Sequence, residues 1–324
     1  MKIRARTGND ELATVYIAEN KSGKLIEFSE SVQPPLPRSK KWVLTVSTLF
    51  GCPVGCSFCD AGIYYHGKLS ADEITDQIDF MILNRFSELV VPVEKFKIQF
   101  ARMGDPAFNS SVLDVLKELP NRYDAPGLIP SICSIAPRGT DKFFEKLLDI
   151  SKIYQSDKFQ LQFSIHTTDV EARDALIPVK KWNFSKIASY GEKFYRDGGR
   201  KITLNFAIAE GSLVDPHVLL KYFDPLKFLV KITPVNPTFQ AMKNKINSLI
   251  TPDNNRYEII DALEDIGYDV ILSIGDIGEN LIGSNCGQHV MNFIEGGNPS
   301  LGSYTFPVEE FIETHKTASP SPAT

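Results

Sequence analysis

The chain has 324 residues, 43% of them hydrophobic and 23% charged, which suits one large α/β domain or two ordinary ones and excludes a disordered or fibrous chain. With 35 Lys+Arg against 40 Asp+Glu the net charge is −5, so there is no basic surplus of the kind that anchors a protein on phosphate backbones. No apolar run reaches bilayer length, and the N-terminal MKIRARTGNDEL lacks the apolar centre of a signal peptide; a cytoplasmic protein without a membrane partner is expected.

Residues 12–19 and 24–29, joined by the turn-forming Asn20-Lys21-Ser22-Gly23, predict a β-hairpin. The stiff QPPLPR that follows opposes both helix and ladder pairing, so 1–38 reads as an N-terminal β extension with a Pro-rich linker. From there short apolar runs alternate with longer amphipathic ones. Strands are predicted at 42–48, 95–101, 128–135, 159–165, 202–208, 227–233 and 268–274, and helices at 71–86, 110–119, 140–153, 183–197, 214–222 and 254–266. Ser70 and Asp253 are the expected N-caps, with Asp72 and Glu73 supporting the first turn of their helix. This order predicts an α/β fold with a mostly parallel sheet, its site at the C-terminal strand edges. The motifs all fall just after strands, which favours an open, partial barrel over a doubly wound sheet. The core is expected over 39–293. Residues 294–324 form a C-terminal segment, small, polar and Pro-broken from about 316 and there expected to be disordered.

Five cysteines is an odd count, and three of them, Cys52, Cys56 and Cys59, fall in the single stretch FGCPVGCSFCDAG. Such clustering points to metal ligation rather than a disulfide framework. Thiolates on a short Gly/Pro loop can saturate three irons of a cubane and leave the fourth open for chemistry. A structural zinc site is the competing reading, but it needs four ligands, and no second cysteine pair is present. His66 in YYHGK has the look of an exposed turn rather than a fourth ligand.

CxxxCxxC with Phe58 between the last two cysteines resembles the signature of the radical S-adenosylmethionine (SAM) enzymes. The resemblance implies a partial (β/α)6 TIM-like barrel and a 4Fe–4S cluster whose open iron chelates SAM. It also implies one-electron cleavage of SAM to methionine and a 5′-deoxyadenosyl radical, fed by a low-potential donor of flavodoxin or ferredoxin type. Gly104-Asp105-Pro106, after the second strand, looks like the family's motif for the amino group of SAM. Ser164 and His166 at the end of the fourth strand, and Asn236 between two prolines after the sixth, are the further candidates for cofactor contact.

Taken together, TVYI, GCPVGCSFC, MGDP, SIHTTDVEARDALIP, TPVNP and NCGQ occur in the order seen in the RlmN/Cfr family of adenine C2/C8 methylases. That resemblance implies a catalytic role for Cys286, which would receive a methyl group from SAM and carry it to the substrate. It also implies a second, resolving thiol seven residues before the first cluster cysteine, where this chain has Thr45. A hydroxyl forms no disulfide and is a far weaker base than a thiolate. Cys133 is the remaining thiol, and it reads as a small core residue.

The family's helical RNA-binding domain has no counterpart in the 51 residues before Cys52, and the charge is negative, so a nucleotide or other small molecule is the expected substrate and intact ribosomal RNA is not. Lys40-Lys41, Lys180-Lys181, Lys243 and Lys245 read as solvated surface. Two other readings stand beside methyl transfer: hydrogen abstraction by a radical SAM enzyme without it, and an iron–sulfur electron-transfer protein.

Overall fold

The computed structural model describes residues 1–254, 256–285, 289–290, 293 and 304–311. Three antiparallel strands open the chain: β1 (Lys2–Gly8), β2 (Ala13–Glu19) and β3 (Leu25–Ser31). Next come β4 (Lys41–Val46) and a small hairpin of β5 (Leu49–Gly51) and β6 (Tyr65–Lys68), with the three cysteines in its loop. Helix α1 (Ala71–Arg85) leads to β7 (Lys95–Phe100), α2 (Ser111–Arg122), β8 (Leu128–Ser134) and α3 (Asp141–Ser151). Then follow β9 (Gln160–Ser164), α4 (Val170–Leu176), α5 (Phe184–Phe194), β10 (Ile202–Ile208) and α6 (Pro216–Tyr222). The described chain ends with β11 (Phe228–Pro234), α7 (Phe239–Lys243), α8 (Glu258–Asp265), β12 (Asp269–Leu272), α9 (Ile277–Ile282) and the short β13 (Glu309–Glu310).

All strands but β5 and β6 join one eleven-stranded sheet in the order β12-β11-β10-β9-β8-β7-β4-β3-β2-β1-β13. Pairing is parallel from β12 to β4 and antiparallel from β4 outward. The parallel strands β4 and β7 to β12, with helices in their connections, form the predicted partial (β/α)6 TIM-like barrel; among the described residues β12 and β13 stay unpaired with each other, so the sheet does not close there. The N-terminal strands continue that same sheet.

The two faces of the parallel strands differ. Trp42, Leu44 and Val46 of β4 and Phe96, Ile98 and Phe100 of β7 are wholly buried beneath the helices, with Trp42 stacked on Phe96 at 5.2 Å. Burying each such side chain contributes roughly 1.5–3 kcal/mol. The alternate positions, Lys41, Val43 and Thr45 on β4 and Lys95, Lys97 and Gln99 on β7, are only partly covered. A parallel strand covered on both faces normally reads as a continuous apolar run. Here the inner face is polar, and the interior is therefore a place for a ligand rather than a second core.

Ser70 caps α1 as predicted: its Oγ accepts from Glu73 N at 3.1 Å while Glu73 Oε2 accepts from Ser70 N at 2.8 Å. Asp253 is not a cap. Helix α8 begins later, at Glu258, with Tyr257 before it and no side-chain cap, because Asp253 belongs to a preceding turn. The extension is fastened by buried Glu30, which accepts from Tyr16 Oη (2.8 Å) and Trp42 Nε1 (2.8 Å) and pairs with Arg85 of α1 (2.7 Å). No helix among the described residues is long and apolar enough to cross a membrane.

Candidate active site

The cysteine loop departs from the sheet at Gly51, whose φ is +85°; a β-carbon there would lie 1.1 Å from the Tyr64 carbonyl oxygen, so only glycine lets the chains cross. Cys52 N donates to Ala61 O at 2.8 Å and Cys59 N to Cys56 O at 3.1 Å. The loop is also tied to the start of α7. Buried Asp60 accepts from Phe239 N (3.1 Å), Gln240 N (2.8 Å) and Tyr304 Oη (2.9 Å), and Thr238 Oγ1 donates to Phe58 O at 2.7 Å.

Cys52, Cys56 and Cys59 line a cavity of about 400 Å³ at the C-terminal ends of the barrel strands. Burial pushes the Cys52 thiol up to about 11 and Cys56 to about 12, although the backbone N–H groups of Val54, Asp105 and Gly55 favour the Cys52 thiolate. Soft donors in so dry a place hold a thiolate only if a positive centre joins them, which is what an iron cluster supplies. Among the described residues no three His, Cys, Asp or Glu side chains are grouped around a single-ion position. Three soft thiols from one loop facing one cavity fit an iron–sulfur centre by their chemistry.

The other strand ends complete the cavity wall. Gly104 and Asp105 follow β7, and Gly104 takes φ +92°, with Leu49 where a β-carbon would go. The sequence assigns Asp105 to an ammonium group, but its carboxylate is largely committed to the protein. Its Oδ1 accepts from Ala107 N (2.9 Å) and Ser134 Oγ (2.9 Å), and its Oδ2 from Ile135 N (2.7 Å) and Ser134 Oγ (3.0 Å). Burial raises its pKa to about 6 against these bonds. Pro106, also expected at the cofactor, does not line the cavity; it is buried as the first residue of a 3-10 turn that Asp105 caps.

Ser164, His166 and Asn236 all face the cavity, as does Phe58. His166 sits at φ +66° with its Nδ1 accepting from Ala207 N at 3.0 Å, and its ring meets Phe58 edge-on at 5.0 Å. Burial, with Arg173 nearby, lowers its pKa to about 3, so the ring is neutral and, with Nδ1 an acceptor, carries its proton on Nε2. Arg173 Nη2 donates to the Ser164 carbonyl at 3.4 Å and Nη1 to Trp182 O at 3.0 Å, fixing the strand end.

Thr45 and Cys133 also line the cavity, so Cys133 is not the small core residue that the sequence suggests. It stands on the inner face of β8, paired in register with Gln162. Sequence reasoning passed over Gln99, Gln162, Asn205, Lys231 and Glu279, all in the same wall. The signal was there: polar residues at every second position of strands that parallel pairing should bury. His66 is exposed on β6, away from the cavity, and Lys40 and Lys181 are engaged by Glu94 and Asp174.

Cys286 lies outside the described residues, but the chain on either side of it is firmly held. Buried Glu27 and Arg102 form an ion pair at 2.6 Å. Arg102 donates to Ser284 O (2.5 Å) and Gly283 O (2.8 Å), and Glu27 accepts from His289 N (2.6 Å) and Val290 N (3.1 Å). Ser284 and Asn285 line the cavity.

The chain presents a partial barrel with a three-cysteine loop at the C-terminal ends of its strands. In fold the chain is similar to a radical SAM methyltransferase from Sphaerobacter thermophilus, with a TM-score of 0.61 and 17% identity over 89% of this chain and 81% of that one. In sequence it resembles RlmN: it is 27% identical over 278 residues to the dual-specificity RNA methyltransferase RlmN of Wolinella succinogenes, covering 82% of this chain and 75% of that protein. A probable dual-specificity RNA methyltransferase RlmN of Chlorobium phaeobacteroides is 25% identical, over 71% of this chain and 62% of its own length. No protein-family model matches the chain. In sequence the chain is thus similar to methyltransferases, and in fold to one of the radical SAM kind.

Proposed function

We propose that this chain methylates a nucleotide-like or other small substrate by radical chemistry, with Cys52, Cys56 and Cys59 holding the cluster and Cys286 carrying the methyl group. The single observation that carries the reading is that three thiols, Gly104, Ser164, His166 and Asn236, far apart in sequence, line one cavity. Bound to the open iron and reduced by one electron, SAM would supply a 5′-deoxyadenosyl radical. The residues' own task is placement and the exclusion of water. His166 offers a neutral N–H donor that ordinary pH changes leave untouched, Ser164 and Asn236 offer further polar contacts, and Val54 and Ile135 supply apolar wall. The Glu27–Arg102 pair, by gripping residues 283–284 and 289–290, would set where Cys286 is presented.

Thr45 in the cavity wall favours a second reading, hydrogen abstraction without a disulfide-forming methyl transfer. One experiment separates the two. Anaerobically reconstituted protein is given SAM and a reductant, with 5′-deoxyadenosine and the mass of the Cys286 peptide both measured. Methyl transfer predicts both the nucleoside and an S-methyl on Cys286; the nucleoside with an unmodified cysteine supports hydrogen abstraction alone. No nucleoside at all rejects both.

A further inference from the structure

Below the cysteines the interior changes character. Lys97 of β7 and Lys231 of β11 lie on inner strand faces, and Lys231 lines the cavity together with Gln99, Cys133 and Asn205. Lys41 and Lys95 are directly paired at the N-terminal ends of β4 and β7, with Lys97 one step further in, opposite Val43. Lys95 is exposed, and Lys41, Lys97 and Lys231 are half-buried. Among the described residues no carboxylate forms an ion pair with Lys97 or Lys231; Glu279, in the same cavity wall, acts on Lys41. An ammonium group inside a barrel without a counter-charge is costly, and several together more so.

We infer that Lys97 and Lys231 form a subsite for an anionic group of the substrate at the floor of the cavity that Lys231 lines. The inference rests on the reading of this cavity as the substrate chamber and names its substrate class: a small molecule bearing phosphate or carboxylate. Ammonium point charges on flexible stems suit such groups, and a cationic lining concentrates them from solution. Burial, reinforced by Lys231, Lys41 and Lys95, holds the Lys97 ammonium down to about 8, while Cys133 beside it acts the other way. A bound anion would relieve that repulsion. It would place the negative end of the substrate at the floor and leave the remainder facing the strand ends where the cysteines stand.

Pyridoxal 5′-phosphate is a suitable probe for the cluster-bearing protein kept anaerobic. Its aldehyde carbon forms an imine with an uncharged lysine Nζ, losing water, and borohydride reduces the C=N bond to a stable amine that peptide mass spectrometry locates. The expected result is labelling of Lys97 or Lys231 on the order of tenfold faster than with pyridoxal, which lacks the phosphate. Inorganic phosphate or citrate should slow it, and whichever protects better identifies the anion. Lys97→Met should bring labelling of Lys231 down to the pyridoxal rate, and Lys231→Met should do the same for Lys97. Equal rates for the two aldehydes, label confined to surface lysines such as Lys21 and Lys152, or no protection by either anion would overturn the inference. None of these readouts needs SAM cleavage, so absence of 5′-deoxyadenosine would count against the proposed function and leave the subsite standing.

Discussion

The mouth and the floor of the barrel treat charge in opposite ways. At the mouth buried Asp105 is surrounded by donors, from Ser134, Ile135 and Ala107, and Asp60 by donors from Phe239, Gln240 and Tyr304. At the floor Lys97 and Lys231 meet inner-face neighbours that include Cys133 but no paired carboxylate among the described residues. A buried charge with its hydrogen bonds satisfied is scaffold: it holds a loop in one place. A charge drawn partly out of water and left unmatched costs stability and is kept where something else completes it. The mouth is built to hold fixed parts, the floor to receive a changing one.

Substitutions can break this contrast, and the largest effect belongs to the mouth. Replacing Cys52, Cys56 or Cys59 by serine should abolish the cluster, seen as lost iron and lost visible absorption, and with it 5′-deoxyadenosine formation. Arg102→Met leaves Glu27 buried and unpaired, and a loss of about 3–5 kcal/mol in denaturant unfolding is expected. At the floor the sign reverses. Lys97 is neutralised more easily when folded than its ordinary value of 10.5 allows, so folding penalises its charged form in full below about 8, and the penalty fades as pH rises toward 10.5. Lys97→Met should therefore stabilise the protein by on the order of 2–3 kcal/mol at pH 7, a gain that shrinks between pH 8 and 10.5. Lys41, Lys95, Lys231 and Cys133 are the groups acting on it there.

Smaller effects sharpen the picture. If His166 donates to SAM as proposed, His166→Ala removes a neutral hydrogen bond worth about 1 kcal/mol, and SAM affinity should fall roughly fivefold, by the same factor at pH 6 and pH 8 because the ring titrates near 3. Equilibrium binding at the two pH values checks it. Lys152→Ala breaks only an exposed contact with Asp149 and should shift stability by less than about 0.5 kcal/mol.

The barrel strands were legible because their helix-facing residues recur at every second position between turn signals, and the Ser70 capping box because its residues are adjacent. β1 was missed, since KIRARTG near the sheet edge carries charge where a core strand would be apolar. The short α4, α7 and α9 were missed for want of a full helical period. At the site the cysteines and strand-end motifs were readable as local spacing. The direction of the Asp105 carboxylate was not, because Ser134 and Ile135, which claim it, sit on a different strand. The lysine floor was not, because Lys97 and Lys231 act on one another only once the strands between them curl the sheet.

Ser29 and Ser31 of β3 stand in the cavity wall, and β3 pairs Ser29 with Thr45. Strand β3 is thus one side of the cavity and no detachable appendage. Exchanging Ser29 or Ser31 alone, with Glu27 and Glu30 kept to hold Arg102 and Arg85, is therefore the way to reshape that wall without losing the fold.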